Sequence, residues 1–356
     1  MELGDVLTVL ATEASDDTGG RPSDEALTAL RRAGVLRLPL SADDGGGGAS
    51  WAEANAVITS LARVDASTAI VVFLHYAALS RIVHWGTPEQ RKRLLTAVVD
   101  DGMIFASSWS EPGAGASKQK IATSAAPRAD GGWLLDGAKS FTTSAGVAEL
   151  YLVLAKTGEA DGPAGSYGQT NQGLFVVEAA RPGFVFDGVL DLAGMRRSAT
   201  GLIRLDSYVA GPDDALASPA DTPAVISHPH TLGLTLGAVG LGVAESAYEI
   251  ALATAAQRGL DSPLHRHQLF ELHASVSAIR GVVQAATQGD GDRSRAALTA
   301  KVFASERAES ICRVAQEFAG SAAFARTHPL NRLAQDARAV TLMGPPNHLC
   351  RELVTR

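Results

Sequence analysis

Ser108-Trp109-Ser110-Glu111-Pro112-Gly113-Ala114-Gly115 marks the place where the chain changes texture, and the fold is decided by what lies on either side of it. On its N-terminal side, from Ser23 to about Val98, the pattern is helical. Leu27, Leu30 and Val35 are followed by a break at Pro39 and the run Asp43-Asp44-Gly45-Gly46-Gly47-Gly48. The spacing predicts further helices over 51–63, 68–84 and 89–98, the last opened by Pro88, which suits a helix start.

On the C-terminal side, from about Met103, short β-rich runs are punctuated by turn residues. Trp133-Leu134-Leu135 and Ser140-Phe141-Thr142-Thr143 flank Asp136-Gly137, a dipeptide suited to a tight hairpin turn. Strands are expected over 150–155, 174–178, 184–186 and 202–205, with a solvated hairpin excursion over 158–172. Helical texture returns after Pro223. Leu269, Leu272, Val276, Ile279 and Val283 share one helix face suited to bundle packing, and similar helices are expected over 230–257, 293–318, 330–341 and 348–354. Gly237 to Gly242 carries glycines at dinucleotide-like spacing, but no strand precedes it, so close helix packing explains it better.

At 356 residues the chain exceeds what one core usually supports, and 46% hydrophobic against 19% charged residues describes an ordered protein. A formal charge of -7 argues against nucleic acid as a partner. Two cysteines, Cys312 and Cys350, make no disulfide framework. Glu2, Asp5, Glu13, Asp16 and Asp17 stand where a signal peptide would be basic, so a cytoplasmic protein is expected. The membrane-length stretch 231–256 contains Glu245 and Glu249 and reads as a buried helix, leaving no membrane partner. His228, His230, His265 and His267 lack the accompanying ligands of a metal site, and none is expected.

Helices, then strands, then helices, with these motifs at the junctions, resemble the acyl-CoA dehydrogenase superfamily over nearly the whole chain. The resemblance implies an α+β, mainly α fold: an N-terminal α-helical domain over 1–102, a middle β-barrel domain over 103–221 and a C-terminal four-helix-bundle domain over 222–356. The opening stretch is similar to the family's flavin-facing signature, which implies Trp109, Ser110 and Gly115 as cofactor contacts. Gly137-Ala138-Lys139-Ser140-Phe141-Thr142-Thr143-Ser144-Ala145 resembles the segment whose aromatic lies against the flavin and whose hydroxyl bonds N5, with Phe141 in the place of Trp and Thr143 as the N5 partner. Gly194-Met195-Arg196-Arg197-Ser198-Ala199-Thr200 resembles a family turn given a structural role.

Arg258, Pro263 and Gln268 match the family's arginine motif, implying that Arg258 and Gln268 reach the FAD pyrophosphate and adenosine end from a neighbouring subunit. Gln316-Glu317-Phe318-Ala319-Gly320 is similar to the segment that closes over the dinucleotide, implying Gln316 and Gly320. FAD is therefore the expected cofactor, with FMN the alternative if the chain is an oxygenase.

The catalytic glutamate of the family has no counterpart. Its two usual places fall in Met343-Gly344-Pro345-Pro346 and near Leu232, where no acid stands, and His230 and Gly233 replace the pair expected beside acyl-CoA. Three readings stay open. One is oxidation of an acyl-CoA or a carrier-protein-bound acyl thioester, with His230 or a distant carboxylate as base. The second is a flavin-dependent monooxygenase of the same fold, in which His75 of the His75-Tyr76 pair assists proton transfer and a flavin reductase supplies electrons. The third is a non-catalytic paralogue. Homo-oligomerisation, as dimer or tetramer, is implied in each, as is an electron acceptor in the first.

Overall fold

The computed structural model describes residues 2–13, 19–114, 118–158, 168–289 and 291–355. Five α-helices open the chain: α1 (Leu3–Glu13), α2 (Asp24–Arg32), α3 (Trp51–Val64), α4 (Ala66–Trp85) and α5 (Pro88–Val99). α1 lies in the acidic terminus for which no helix was expected. Its Val6 and Leu10 fall on one face and are fully buried, so tertiary packing holds a segment whose local pattern is weak. Caps set the other starts. Ser50 and Glu53 form a reciprocal capping box on α3, Thr87 and Gln90 another on α5, and Asp65 accepts the backbone N–H groups of Ser67 and Thr68 at the head of α4. α4 is long and apolar enough to cross a bilayer, but 89% of its most apolar window is buried in protein, where it contacts α3 and the sheet that follows.

Among the described residues eight strands follow: β1 (Phe105–Ser108), β2 (Ser124–Pro127), β3 (Trp133–Thr142), β4 (Leu150–Lys156), β5 (Gln172–Glu178), β6 (Phe184–Val189), β7 (Gly201–Ala210) and β8 (Ala215–Leu216). Their order is β6-β7-β3-β2-β4-β5-β8, with β1 parallel to β4. The sheet curls, so that the Glu178 N–H on β5 donates to the Tyr208 hydroxyl on β7 at 2.9 Å. The hairpin expected at Asp136-Gly137 is not formed. Trp133–Thr142 is one continuous strand, and Asp136-Gly137 lies opposite a bulge in β7, two steps from Leu135 to Gly137 facing three from Tyr208 to Leu205. Gly137 sits at φ 149°, a Cβ there would meet the Thr123 hydroxyl at 2.5 Å, and the Asp136 carboxylate accepts the Ser207 N–H at 2.7 Å. The Asp-Gly pair thus faces a bulge within a continuous strand instead of reversing the chain.

Among the described residues six α-helices follow: α6 (Thr222–Thr231), α7 (Gly237–Arg258), α8 (Pro263–Gln288), α9 (Arg293–Ala319), α10 (Pro329–Leu342) and α11 (Asn347–Thr355). The single helix expected over 230–257 is instead α6, a break, and α7. Gly233 has φ 79° and lies so close to α8 that a Cβ would sit 2.2 Å from the Ala286 carbonyl oxygen. Asn55 of α3 locks the break by donating to the Gly233 carbonyl and accepting the Thr235 N–H. Leu272, Val276, Ile279 and Val283 face inward from α8 as their spacing required. The glycines of α7 serve packing: a Cβ on Gly242 would meet the Thr59 carbonyl of α3 at 2.4 Å.

The turn 194–200 joins the three layers. Met195 N–H donates to Asp336 of α10, Arg197 N–H donates to Ser67 of α4, and the Arg197 guanidinium pairs with Glu13 of α1.

Candidate functional site

The end of β1 and the end of β3 lie side by side because Ser140 N–H donates to the Ser110 carbonyl at 2.9 Å and the Ser108 and Thr142 hydroxyls meet at 2.6 Å. This brings together four residues singled out from sequence: Trp109, Ser110, Phe141 and Thr143. Phe141 adopts φ 51°, costly for a bulky residue, and the result is an aromatic ring 63% exposed. Thr143 is buried beside it, its hydroxyl 3.1 Å from that of Thr200, which in turn is 2.7 Å from that of Ser198. Gly113 has φ 82° and open space where a Cβ would stand, while Gly115 lies outside the described residues.

Glu111, the acid of the opening signature, is fully committed. Lys139 Nζ lies 2.6 Å from its carboxylate, which also accepts the N–H groups of Ala122 and Thr123. Burial alone would raise this carboxyl, but the Lys139 charge and these hydrogen bonds outweigh it and hold the group below its ordinary value. Trp109 carries Arg81 at 4.6 Å and Lys118 at 5.2 Å from its ring centroid, and its indole N–H is buried without an acceptor among the described residues. Burial, and then the Arg81 charge, brings Lys118 down to about 7.

The two candidate histidines differ. His75 is completely buried on α4, with Nε2 2.8 Å from the Leu36 carbonyl and Nδ1 accepting the Phe105 N–H at 2.9 Å. Both ring nitrogens are thus engaged by backbone, which fixes the neutral form with its proton on Nε2. Burial pulls its pKa down to about 4 against the raising effect of the Leu36 contact. His230 lies on α6, partly exposed, and makes no hydrogen bond with the described side chains. Burial first, then the positive charges of Arg81, Lys118 and Lys301, lower it to about 3.

Lys301 went unnoticed in the sequence, although a lysine among Ala297, Ala300 and Ala304 on the buried face of a helix was a signal. Its ammonium donates to the carbonyls of Met343 and Pro345 at 3.1 and 2.7 Å and to Asn347 Oδ1 at 2.8 Å. It therefore clamps the loop 343–346, in which the peptide bond before Pro345 is cis.

Arg258, Gln268, Gln316 and Gly320 form a second cluster, at the end of the bundle where α7, α8 and α9 meet. Arg258 donates to the Phe318 carbonyl at 2.5 Å, and its guanidinium lies 3.4 Å from where a Cβ on Gly320 would stand. Gln268 reaches Glu317 at 3.4 Å, and Gln316 reaches Asn331 at 3.3 Å. Among the described residues no hydrogen bond of these side chains reaches the cluster on the sheet.

A recess of about 500 Å³ opens elsewhere, between the segment 39–51, the end of α4 and α6. His84 and His228 stack in its wall with ring centroids 4.3 Å apart, and none of the residues around Phe141 lines it.

Comparison with known proteins agrees along the full chain. Residues 6–101 match the family model described as acyl-CoA dehydrogenase, N-terminal domain, residues 106–208 the middle domain, and residues 233–356 the C-terminal domain. Cyclohexane-1-carbonyl-CoA dehydrogenase of Geobacter metallireducens is 27% identical over 361 aligned residues, covering 96% of this chain and 91% of that protein. Butyryl-CoA dehydrogenase from Megasphaera elsdenii superposes with a TM-score of 0.87 at 22% identity, covering 99% of this chain and 97% of that one. Dibenzothiophene monooxygenase from Paenibacillus sp. A11-2 superposes at 0.85 with 20% identity, covering 99% and 95%. At such identities the two structures speak for the fold alone.

Proposed function

Because the chain belongs to the acyl-CoA dehydrogenase superfamily, we propose that it is an FAD-dependent oxidoreductase acting on the CH–CH group of an acyl thioester, carried by coenzyme A or by an acyl carrier protein. The observation that carries this reading is the wall at the ends of β1 and β3. A flavin ring needs a flat apolar neighbour and polar groups along its edge, and this wall offers an exposed Phe141, the Thr143 and Ser110 hydroxyls and an orphaned Trp109 N–H. The residues present fit such a group. Bound there, a flavin supplies the hydride acceptor.

The cluster of Arg258, Gln268, Gln316 and Gly320 favours FAD over FMN, since a guanidinium among amides suits a diphosphate that FMN lacks. We assign that cluster to the cofactor of a neighbouring copy. Leu264 and Phe270 are each more than 60% exposed on α8, and Phe324 is 94% exposed just beyond α9, which supports coverage of this bundle face in a dimer or tetramer.

For proton removal we assign His230. Glu111 is held by Lys139, and the loop 343–346 has no acid. The low pKa of His230 keeps it unprotonated at neutral pH, as a base must be, and also makes it a weak one. The same positive charges that lower it would stabilise negative charge developing on the thioester oxygen, which offsets the weakness. His75, needed by an oxygenating reading, has no free nitrogen, which supports dehydrogenation with electrons passed to a separate acceptor. Both cysteines are free and buried, in keeping with a reducing cytoplasm.

The test is anaerobic mixing of the flavin-loaded protein with a panel of acyl thioesters while flavin absorbance is followed. Bleaching by at least one thioester is expected, slowed about a hundredfold or more in His230→Gln. No bleaching by any thioester, with oxygen uptake on an aromatic or amine substrate when reduced flavin is supplied, would replace this reading by oxygenation.

A further inference from the structure

Positive charge collects at one place beside the proposed base, where the elements that build the place contribute no acid. Arg81 of α4 lies 4.6 Å from the Trp109 ring centroid and Lys118 lies 5.2 Å from it. Both side chains are buried. Among the described residues the charges that act on His230 are those of Arg81, Lys118 and Lys301, all positive. No Asp or Glu occurs in α4, in β1 or in 226–244, and Glu111 is committed to Lys139. Arg81 is fixed in orientation by the carbonyls of Ala77, Val225 and Ile226, which are neutral oxygens.

A hydroxyl stands on the same side. Phe105 lies in the apolar cluster that holds Leu79 and Ile82 of α4 and Val225 of α6, and Trp109 packs against that cluster. By strand alternation Ser107 shares their face. Its Oγ is buried without a partner among the described residues, a penalty that a ligand acceptor relieves. Ser107, Trp109 and His230 are each half-buried, which leaves a ligand a way in.

We infer that this cluster takes an anionic group on the acyl portion of the substrate, so that the preferred thioester is that of a dicarboxylic acid with its second carboxylate ionised. The inference rests on the thioester reading above. A carboxylate accepts from cations and from a hydroxyl alike, and away from bulk water its attraction to positive charge is strong. It also acts on the base. Beside Arg81 and Lys118 it offsets two of the three charges that hold His230 down, so the substrate itself makes a better base of the residue that deprotonates it. The phosphates of coenzyme A share this chemistry, and the experiment separates the two sources.

Dissociation constants are measured by calorimetry on the flavin-loaded protein for the S-pentyl and S-carboxybutyl thioethers of coenzyme A, which match in chain length and cannot be oxidised as thioesters are. The carboxylated thioether should bind about tenfold or more tightly than the neutral one, the effect of a charge-assisted contact. Lys118→Met and Ser107→Ala should each reduce that preference several-fold, and Lys118→Arg, which keeps the charge, should retain most of it. Melting curves establish folding, and Ser107→Ala carries the test by itself if Lys118→Met does not fold. No preference in the parent overturns the inference. So does a Lys118→Met variant in which both thioethers weaken equally, because the cations then hold the phosphates of the carrier. A preference that both variants leave intact removes the anion from this cluster. A parent that binds neither thioether overturns the thioester reading and this inference together.

Discussion

Replacing Glu111 by Gln removes the negative half of an ion pair that is almost wholly inside the protein: the Lys139 side chain is 0% exposed and that of Glu111 5%. Glutamine keeps one acceptor, but it presents an N–H₂ group to a place where Ala122 or Thr123 now donates its N–H. The larger effect is the stranded ammonium. Breaking a buried pair from one side costs about 3–5 kcal/mol. An upper bound follows independently. At pH 7 the lysine can lose its proton, and neutralising a group of ordinary pKa 10.5 costs about 1.4 kcal/mol per pH unit, or about 5 kcal/mol. Both routes place the loss at several kcal/mol, a large part of the stability of an ordinary domain.

The pH dependence has a definite sign. In Glu111→Gln the folded state depresses the Lys139 pKa, so between that value and 10.5 the unfolded chain binds more protons, and stability rises with pH. From pH 7 to pH 9 the deficit relative to the parent should therefore shrink, by up to about 1.4 kcal/mol, because burial holds Lys139 of the parent down to about 8 and the parent gains with pH over the upper half of that range. Urea titrations of parent, Glu111→Gln, Lys139→Met and the double variant at both pH values measure it, and the double variant should recover part of the loss as a coupling energy. A loss below about 1 kcal/mol at pH 7, or a deficit that does not change with pH, would refute the view that this pair is a tightly coupled anchor between the two segments that carry it.

Gly242→Ala should destabilise the protein by at least about 2 kcal/mol, seen as a lower denaturation midpoint, because the added methyl meets the α3 backbone and not a movable side chain; an unchanged midpoint would show that α3 and α7 can move apart freely. His75, held neutral with a pKa near 4, should make the protein acid-labile: its contribution is full above pH 6.5 and is lost as pH falls toward 4, by about 3 kcal/mol. Urea midpoints against pH should show this slope, and His75→Leu should flatten it while lowering stability at neutral pH. Arg258→Ala should leave folding intact and weaken FAD about tenfold or more by equilibrium titration, through loss of a charge-assisted contact. Equal FAD affinity in that variant would remove Arg258 from the cofactor site.

Local rules made much of the architecture legible before any coordinates. Pro88 announces a helix start, the stripe from Leu269 to Val283 announces a bundle helix, and the glycines between Gly237 and Gly242 read correctly as packing because no strand precedes them. The errors fall where a residue has two local uses. Asp136-Gly137 permits a hairpin or a continuous strand, and only the arrival of β2 and of the bulged β7 on either side of β3 selects the strand. The stretch 230–257 is apolar throughout, and only the approach of α8 to Gly233 breaks it into two helices.

The same division runs through the candidate site. Sequence by itself determined the order of the three layers and which residue types are available at the ends of β1 and β3, because turn chemistry, capping and periodicity act within a few residues. Tertiary structure decided what those residues are free to do. It engages both nitrogens of His75 with backbone from two distant segments, commits Glu111 to Lys139, leaves His230 among positive charges, and sets Thr143 at the end of a file of hydroxyls. Those outcomes depend on burial and on partners far away in the chain, and the energies of buried charges and unpaired donors exist only once the chain has folded around them.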